Sequence, residues 1–140
     1  IHENCSGYGG QGPKQTLELV EEINSPAFRL LFDTGNFGAY GYDSFDFYLQ
    51  VRKYIVYVHI KDAKKTEEEV YTFPGEGDGD VKKILKHLFD SGYDGVISIE
   101  PHIGVAIHSG RENSSLDKYH LYTEYGMKLM KLAESLSKTK

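Results

Sequence analysis

The chain has 140 residues, 39% hydrophobic and 26% charged, with a net charge of -5 and no basic cluster. That length suits one domain with a real core, residues 1–140 without an internal linker, and that charge gives no footprint for nucleic acid or an anionic membrane. No apolar run approaches the roughly 20 residues that span a bilayer, no signal-peptide layout opens the chain, and the single Cys5 cannot form an internal disulfide, so a cytoplasmic setting is expected.

In residues 14–23, Leu17, Val20 and Ile23 fall on one helical face, with Pro13 before them and Ser25-Pro26 after, which predicts a helix. Residues 28–32 form an almost wholly apolar stretch ending in Asp33-Thr34-Gly35-Asn36, the pattern of a strand buried on both faces that leads into a loop. Residues 44–53 read as a helix, and residues 55–60 as a second strand of β-branched and aromatic residues ending in His59-Ile60-Lys61-Asp62.

A polar loop through Pro74-Gly75-Glu76-Gly77-Asp78-Gly79 follows. It lacks the Gly-Lys-Ser/Thr ending of a P-loop and the ligand periodicity of an EF-hand, so it is expected to be structural. Val81, Ile84, Leu85, Leu88 and Phe89 mark an amphipathic helix with Asp80 as its N-cap and Gly92 as its stop. A third buried run, residues 96–99, ends at Glu100-Pro101-His102, and a long helix over residues 116–136 closes the chain. Alternating helices and strands without hairpin signals imply parallel strands joined by right-handed crossovers, an α/β fold. Ile1-His2-Glu3 looks like the end of another strand. Four parallel strands leave two open edges, so an N-terminal half or a second copy is expected to complete the sheet.

Glu3, Asp33, His59 and Glu100 each end a proposed strand, spaced by about one strand–helix unit. The C-terminal strand ends are the functional face of parallel α/β proteins. Three carboxylates and an imidazole converging there repel one another unless a cation sits among them, and their donors suit Mn²⁺, Mg²⁺, Co²⁺ or Zn²⁺. Any one of them alone reads more simply as a helix cap or a satisfied core residue.

His2-Glu3-Asn4, Phe32-Asp33-Thr34-Gly35-Asn36, Val58-His59-Ile60-Lys61-Asp62, Pro74-Gly75-Glu76-Gly77 and Ser98-Ile99-Glu100-Pro101-His102 resemble the sugar phosphate isomerase/epimerase family over nearly the whole chain. The resemblance implies the C-terminal half, strands five to eight, of a xylose-isomerase-like (β/α)8 TIM barrel. It also implies an enzyme in which Glu3, Asp33, His59 and Glu100 bind one divalent metal, with Glu3 and Glu100 as the catalytic acid and base. The expected activity is isomerisation or epimerisation of a small sugar or polyol through an enediolate. The alternatives are dehydration of a keto-inositol by related chemistry and an inactive half-barrel.

Two positions depart from the family pattern. Asn36 stands where many relatives carry a substrate-binding His, and Lys65 where sugar epimerases place an Arg; Lys61 is an alternative for that second role. Asn36, Lys61, Lys65 and His102 are thus the expected substrate contacts, with His108 as a further loop candidate. The endonuclease IV branch needs additional His ligands that Asn36 does not supply. Cys5 reads as a packing residue, His87 and His120 as structural, and Phe37, Tyr40 and Tyr42 as candidates to cover a sugar's apolar face.

Overall fold

The computed structural model describes residues 1–66, 70–103 and 115–137. Its main sheet holds four strands, β1 (His2–Glu3), β2 (Leu30–Asp33), β3 (Ile55–Ile60) and, after a short ribbon, β6 (Val96–Ile99). They lie in the order β1-β2-β3-β6 and every neighbouring pair is parallel. Helix α1 (Pro13–Ile23) connects β1 to β2; α2 (Phe37–Tyr40) and α3 (Ser44–Val51) connect β2 to β3; α4 (Val81–Asp90) precedes β6 and α5 (Ser115–Ser137) follows it. This is the expected half-barrel arrangement, one sheet backed by helices.

Leu30, Phe32, Val58 and Ile60 enter one core cluster with Phe47, Tyr48 and Val51 of α3, Ile84, Leu85 and Leu88 of α4, and Tyr125 and Leu129 of α5. Successive strand residues point to opposite faces, so these four alternate residues form the helix-backed face. Leu31, Asp33, Tyr57, His59, Val96 and Ser98 lie on the other face.

Four local expectations are corrected. Ile23 is 42% exposed, because α1 buries Thr16 and Val20 and unwinds at left-handed Asn24. The helix expected over residues 44–53 tightens into a 3-10 turn, Arg52–Tyr54, just before β3. Asp80 holds the N-cap position of α4 as expected, but not through its side chain: its backbone is left-handed, and its carboxylate pairs instead with Lys83 Nζ at 2.6 Å. The run at residues 96–99 is not buried on both faces; Val96 is 52% exposed on an edge strand with β3 as its described partner.

The chain also contains an unexpected hairpin. β4 (Asp62–Lys64) and β5 (Val70–Thr72) pair antiparallel between β3 and α4, in the register Asp62 with Thr72 and Lys64 with Val70. The glycine-rich loop after β5 folds back onto its start: Asp78 N–H donates to Ala63 O at 2.7 Å, and Lys65 N–H to Asp78 Oδ2 at 2.8 Å.

Candidate metal centre

Strand register gathers the four candidate ligands. Asp33 lies directly beside His59 across β2 and β3. Glu3 is level with Leu31, two residues before Asp33, and Ser98 is level with His59, two residues before Glu100. These even offsets keep all four side chains on one face while the level climbs across the sheet, the stagger of a tilted barrel wall. Glu100 N–H donates to Ile60 O at 3.1 Å and so extends the ladder one step beyond β6. As a result one ligand atom from each of Glu3, Asp33, His59 and Glu100 lies within 4.8 Å of the others.

The segment Asp33-Thr34-Gly35-Asn36 is built around the first of these groups. Asp33 is fully buried, and its Oδ1 accepts N–H groups from Gly35 at 2.8 Å and Asn36 at 2.9 Å. Asn4, also buried, carries the β1–β2 ladder onward with its side chain: Oδ1 accepts the Asp33 N–H at 2.6 Å, and Nδ2 donates to Asp33 O and to the Tyr42 hydroxyl. Asn36 Nδ2 donates to Glu3 Oε1 at 3.2 Å and to Asn4 O at 2.9 Å, which ties β1 to the loop after β2.

Lys61 enters from the end of β3. It is 3% exposed, and Nζ meets Asp33 Oδ2 at 3.2 Å and Glu100 Oε1 at 3.1 Å. Burial opposes its charge, but the two carboxylates outweigh that effect and raise its pKa. Burial pushes the Asp33 carboxyl up to about 7 against the pull of Lys61. For Glu100 burial also raises the pKa, yet the charge and hydrogen bond of Lys61, helped by Asp33 and His59, bring it below the ordinary value. His102 Nε2 reaches Glu100 Oε1 at 3.2 Å, with its ring edge-on to Tyr71 of the hairpin.

The donor set fits a divalent cation. His59 Nδ1 and Glu100 Oε2 are 2.5 Å apart, yet neither makes a hydrogen bond of proper geometry; nor does Asp33 Oδ2, which meets Lys61. Buried polar atoms are normally hydrogen-bonded. Three carboxylates and one imidazole converging with unsaturated atoms supply the oxygen and nitrogen donors preferred by Mn²⁺, Mg²⁺, Co²⁺ and Zn²⁺.

The other expected residues are distributed unevenly. Asn36, Lys61 and His102 contact the four-residue cluster directly, and Lys61 spends its near contacts inside it. Lys65 lies outside, exposed, with Nζ over the Phe37 ring at 5.5 Å. Phe37 is fully buried and so unavailable to a sugar, while Tyr42 supports Asn4 and stacks with Tyr40. His108 falls outside the described residues. Burial, then the charge of Glu3, raise the Cys5 pKa, which disfavours a thiolate nucleophile. His87 Nδ1 is 2.9 Å from the Tyr48 hydroxyl, a structural contact.

Sequence reasoning passed over Thr34, Gly35 and Asp62. Thr34 Oγ1 donates to Lys61 O at 2.6 Å and accepts the Lys61 N–H at 3.1 Å. Asp62 is 1% exposed and accepts four backbone N–H groups: Ala63 and Gly79 on Oδ1, each at 3.0 Å, and Gly75 at 2.8 Å and Gly77 at 3.0 Å on Oδ2. The glycine loop therefore wraps an internal carboxylate, a stronger reason than its missing lysine to reject a phosphate cradle. Three glycines spaced two apart behind a strand-end Asp were the available signal.

Comparison with known proteins agrees with this fold. The profile of a family described as xylose isomerase-like TIM barrel matches residues 1–130. Inosose dehydratase of Clostridium perfringens is 32% identical over 116 residues, 71% of this chain and 39% of its own. A xylose isomerase domain protein from Planctomyces limnophilus superposes with a TM-score of 0.67 at 22% identity, over 98% of this chain and 46% of that one. A D-tagatose 3-epimerase-like protein superposes with a TM-score of 0.60 at 25% identity, over 96% of this chain and 48% of that one. The chain thus spans less than half the length of these proteins. With a family match over most of its residues and that family's fold in its sheet, the chain belongs to the xylose isomerase-like TIM barrel family.

Proposed function

We propose that the protein is a metal-dependent isomerase or epimerase of small sugars or polyols, with Glu3, Asp33, His59 and Glu100 as metal ligands and Glu3 and Glu100 as the proton-transfer pair. The observation that carries this reading is the convergence of the four ligand atoms within 4.8 Å. A divalent ion held there supplies a Lewis acid that polarises a carbonyl and its neighbouring hydroxyl, which acidifies the intervening C–H.

The chain's own groups handle the proton. Glu3 and Glu100 come from the two outer strands of the sheet and flank the Asp33–His59 pair. One carboxylate takes a proton from carbon and becomes a carboxylic acid; the other, once it carries a proton of its own, gives that proton to the adjacent carbon or to the opposite face of the same carbon. Lys61 favours the charged form of Glu100, as a base requires. Asn36 holds Glu3 in place, and His102 holds Glu100. In this reading Asn36, His102 and Lys65 also meet substrate hydroxyls, and the protein works in the cytoplasm as one barrel domain. The open edges of β1 and β6 meet the remaining strands of that barrel, from an N-terminal half or a second copy.

A second reading, dehydration of an inosose, is favoured by the 32% identity to the Clostridium perfringens enzyme. It uses the same C–H acidification but expels a hydroxyl. Metal analysis of protein purified without chelator, followed by product analysis on ketoses and an inosose, tests both. About one equivalent of metal with an epimerised or isomerised ketose supports the first reading, and a dehydrated inosose the second. Bound metal without turnover favours a half-barrel that is inactive alone, and its sedimentation then shows whether copies pair. Absence of metal after reconstitution overturns the site.

A further inference from the structure

Lys61 is packed as a fixed part of the cluster. A Cβ on Gly35 would lie 2.5 Å from Lys61 Cγ and 2.9 Å from its Cβ, so the missing side chain of Gly35 is the seat of the lysine stem. Thr34 Oγ1 clamps the Lys61 backbone by both its N–H and its carbonyl. Nζ then bridges Asp33 Oδ2 and Glu100 Oε1, carboxylates from different strands. Among the described residues, Lys61 is the one lysine or arginine ion-paired with a member of the cluster.

We propose that Lys61 is a built-in counter-cation of the metal centre, which sets the donor set at a charge that one divalent ion neutralises and so holds back ions of higher charge. This rests on the metal reading above. With His59 neutral, as a metal ligand must be, Glu3, Asp33 and Glu100 carry three negative charges and Lys61 returns one positive. The remainder matches a divalent ion. Without the ammonium the donors match a trivalent one, because a cation adjacent to the carboxylates repels every ion that shares them, and repulsion grows with the charge of the arriving ion.

The test measures Mn²⁺ binding by calorimetry and Tb³⁺ binding by sensitised luminescence, in wild type, Lys61→Met and Lys61→Gln. Both substitutions remove the charge, and Gln keeps a donor. The expected result is Mn²⁺ affinity raised about tenfold and Tb³⁺ affinity raised about thirtyfold or more in both variants. Unchanged or weakened affinities overturn the proposal and leave the metal reading standing. A wild type that takes up neither ion brings down the metal reading, and this proposal with it. Variants that fold only when Mn²⁺ is present support the proposal, since the added ion then replaces the ammonium. Variants that fold neither with nor without Mn²⁺ overturn it and make Lys61 a structural strut.

Discussion

Asp33 and Asp62 are both buried aspartates near the C-terminal ends of strands, and the fold satisfies them in opposite ways. Asp62 receives four backbone N–H groups, two on each oxygen, all from its own segment. Burial raises its pKa and those donors pull it back. Asp33 receives two N–H groups on one oxygen, while the other faces Lys61. A carboxylate saturated by the main chain organises a loop and has nothing left to offer a ligand. One saturated on a single side is fixed in place with a lone pair to spare, and in the proposed reading that oxygen is the one left for a metal.

Four experiments probe the contrast. The largest effect is expected on the reactive side: Glu100→Gln lowers turnover by about a thousandfold with little change in the urea midpoint, and full activity in that variant refutes the proton-transfer role. On the saturated side, Asp62→Ala strands four loop N–H groups and costs about 3 kcal/mol of stability. Urea unfolding reads that loss, and a cost under about 1 kcal/mol means that water replaces the carboxylate.

Gly77→Ala attacks the same loop by steric means, because a Cβ would meet Asp62 Oδ1 at 2.5 Å, Thr72 Oγ1 at 2.7 Å and the Ala63 carbonyl. A cost of about 2 kcal/mol is expected, and thermal melting at wild-type temperature shows that the loop gives way freely. The smallest stability effect belongs to Asp33→Asn. Its amide keeps the Gly35 and Asn36 contacts, and Lys61 keeps Glu100. Calorimetry should show Mn²⁺ binding weakened about a hundredfold, with stability in chelator changed by about 1 kcal/mol or less. A loss as large as that of Asp62→Ala erases the contrast.

The parallel sheet with its helices and the four gathered residues were legible because both rest on periodicity, whereas the half-barrel was implied by the family resemblance alone. Apolar runs at strand length, each ended by a polar residue, carry position and direction together, and the Asp33–His59 register follows from them. Asp62 was missed because its partners are backbone N–H groups, which leave only the spacing of Gly75, Gly77 and Gly79 as their trace in the sequence. Lys61 looked like an outward substrate contact, since nothing in its own neighbourhood of sequence announces that Gly35 makes room for its stem. The β4–β5 hairpin was masked by the charged run that precedes Val70, and Val96 misled because β-branched composition reports strand formation without reporting whether the far side is covered.

The even offsets that link Glu3, Asp33, His59 and Glu100 limit how such a chain can change length. Deleting one residue within β2 or β3 sends every later side chain of that strand to the opposite face and removes a member from the four-residue cluster. The segment from Asp62 to Gly79 stands outside that constraint, because its anchors close upon themselves. Insertions and deletions should therefore be excluded from β2 and β3 and collect in the link between β4 and β5, where length can change while the Tyr71 contact to His102 is kept.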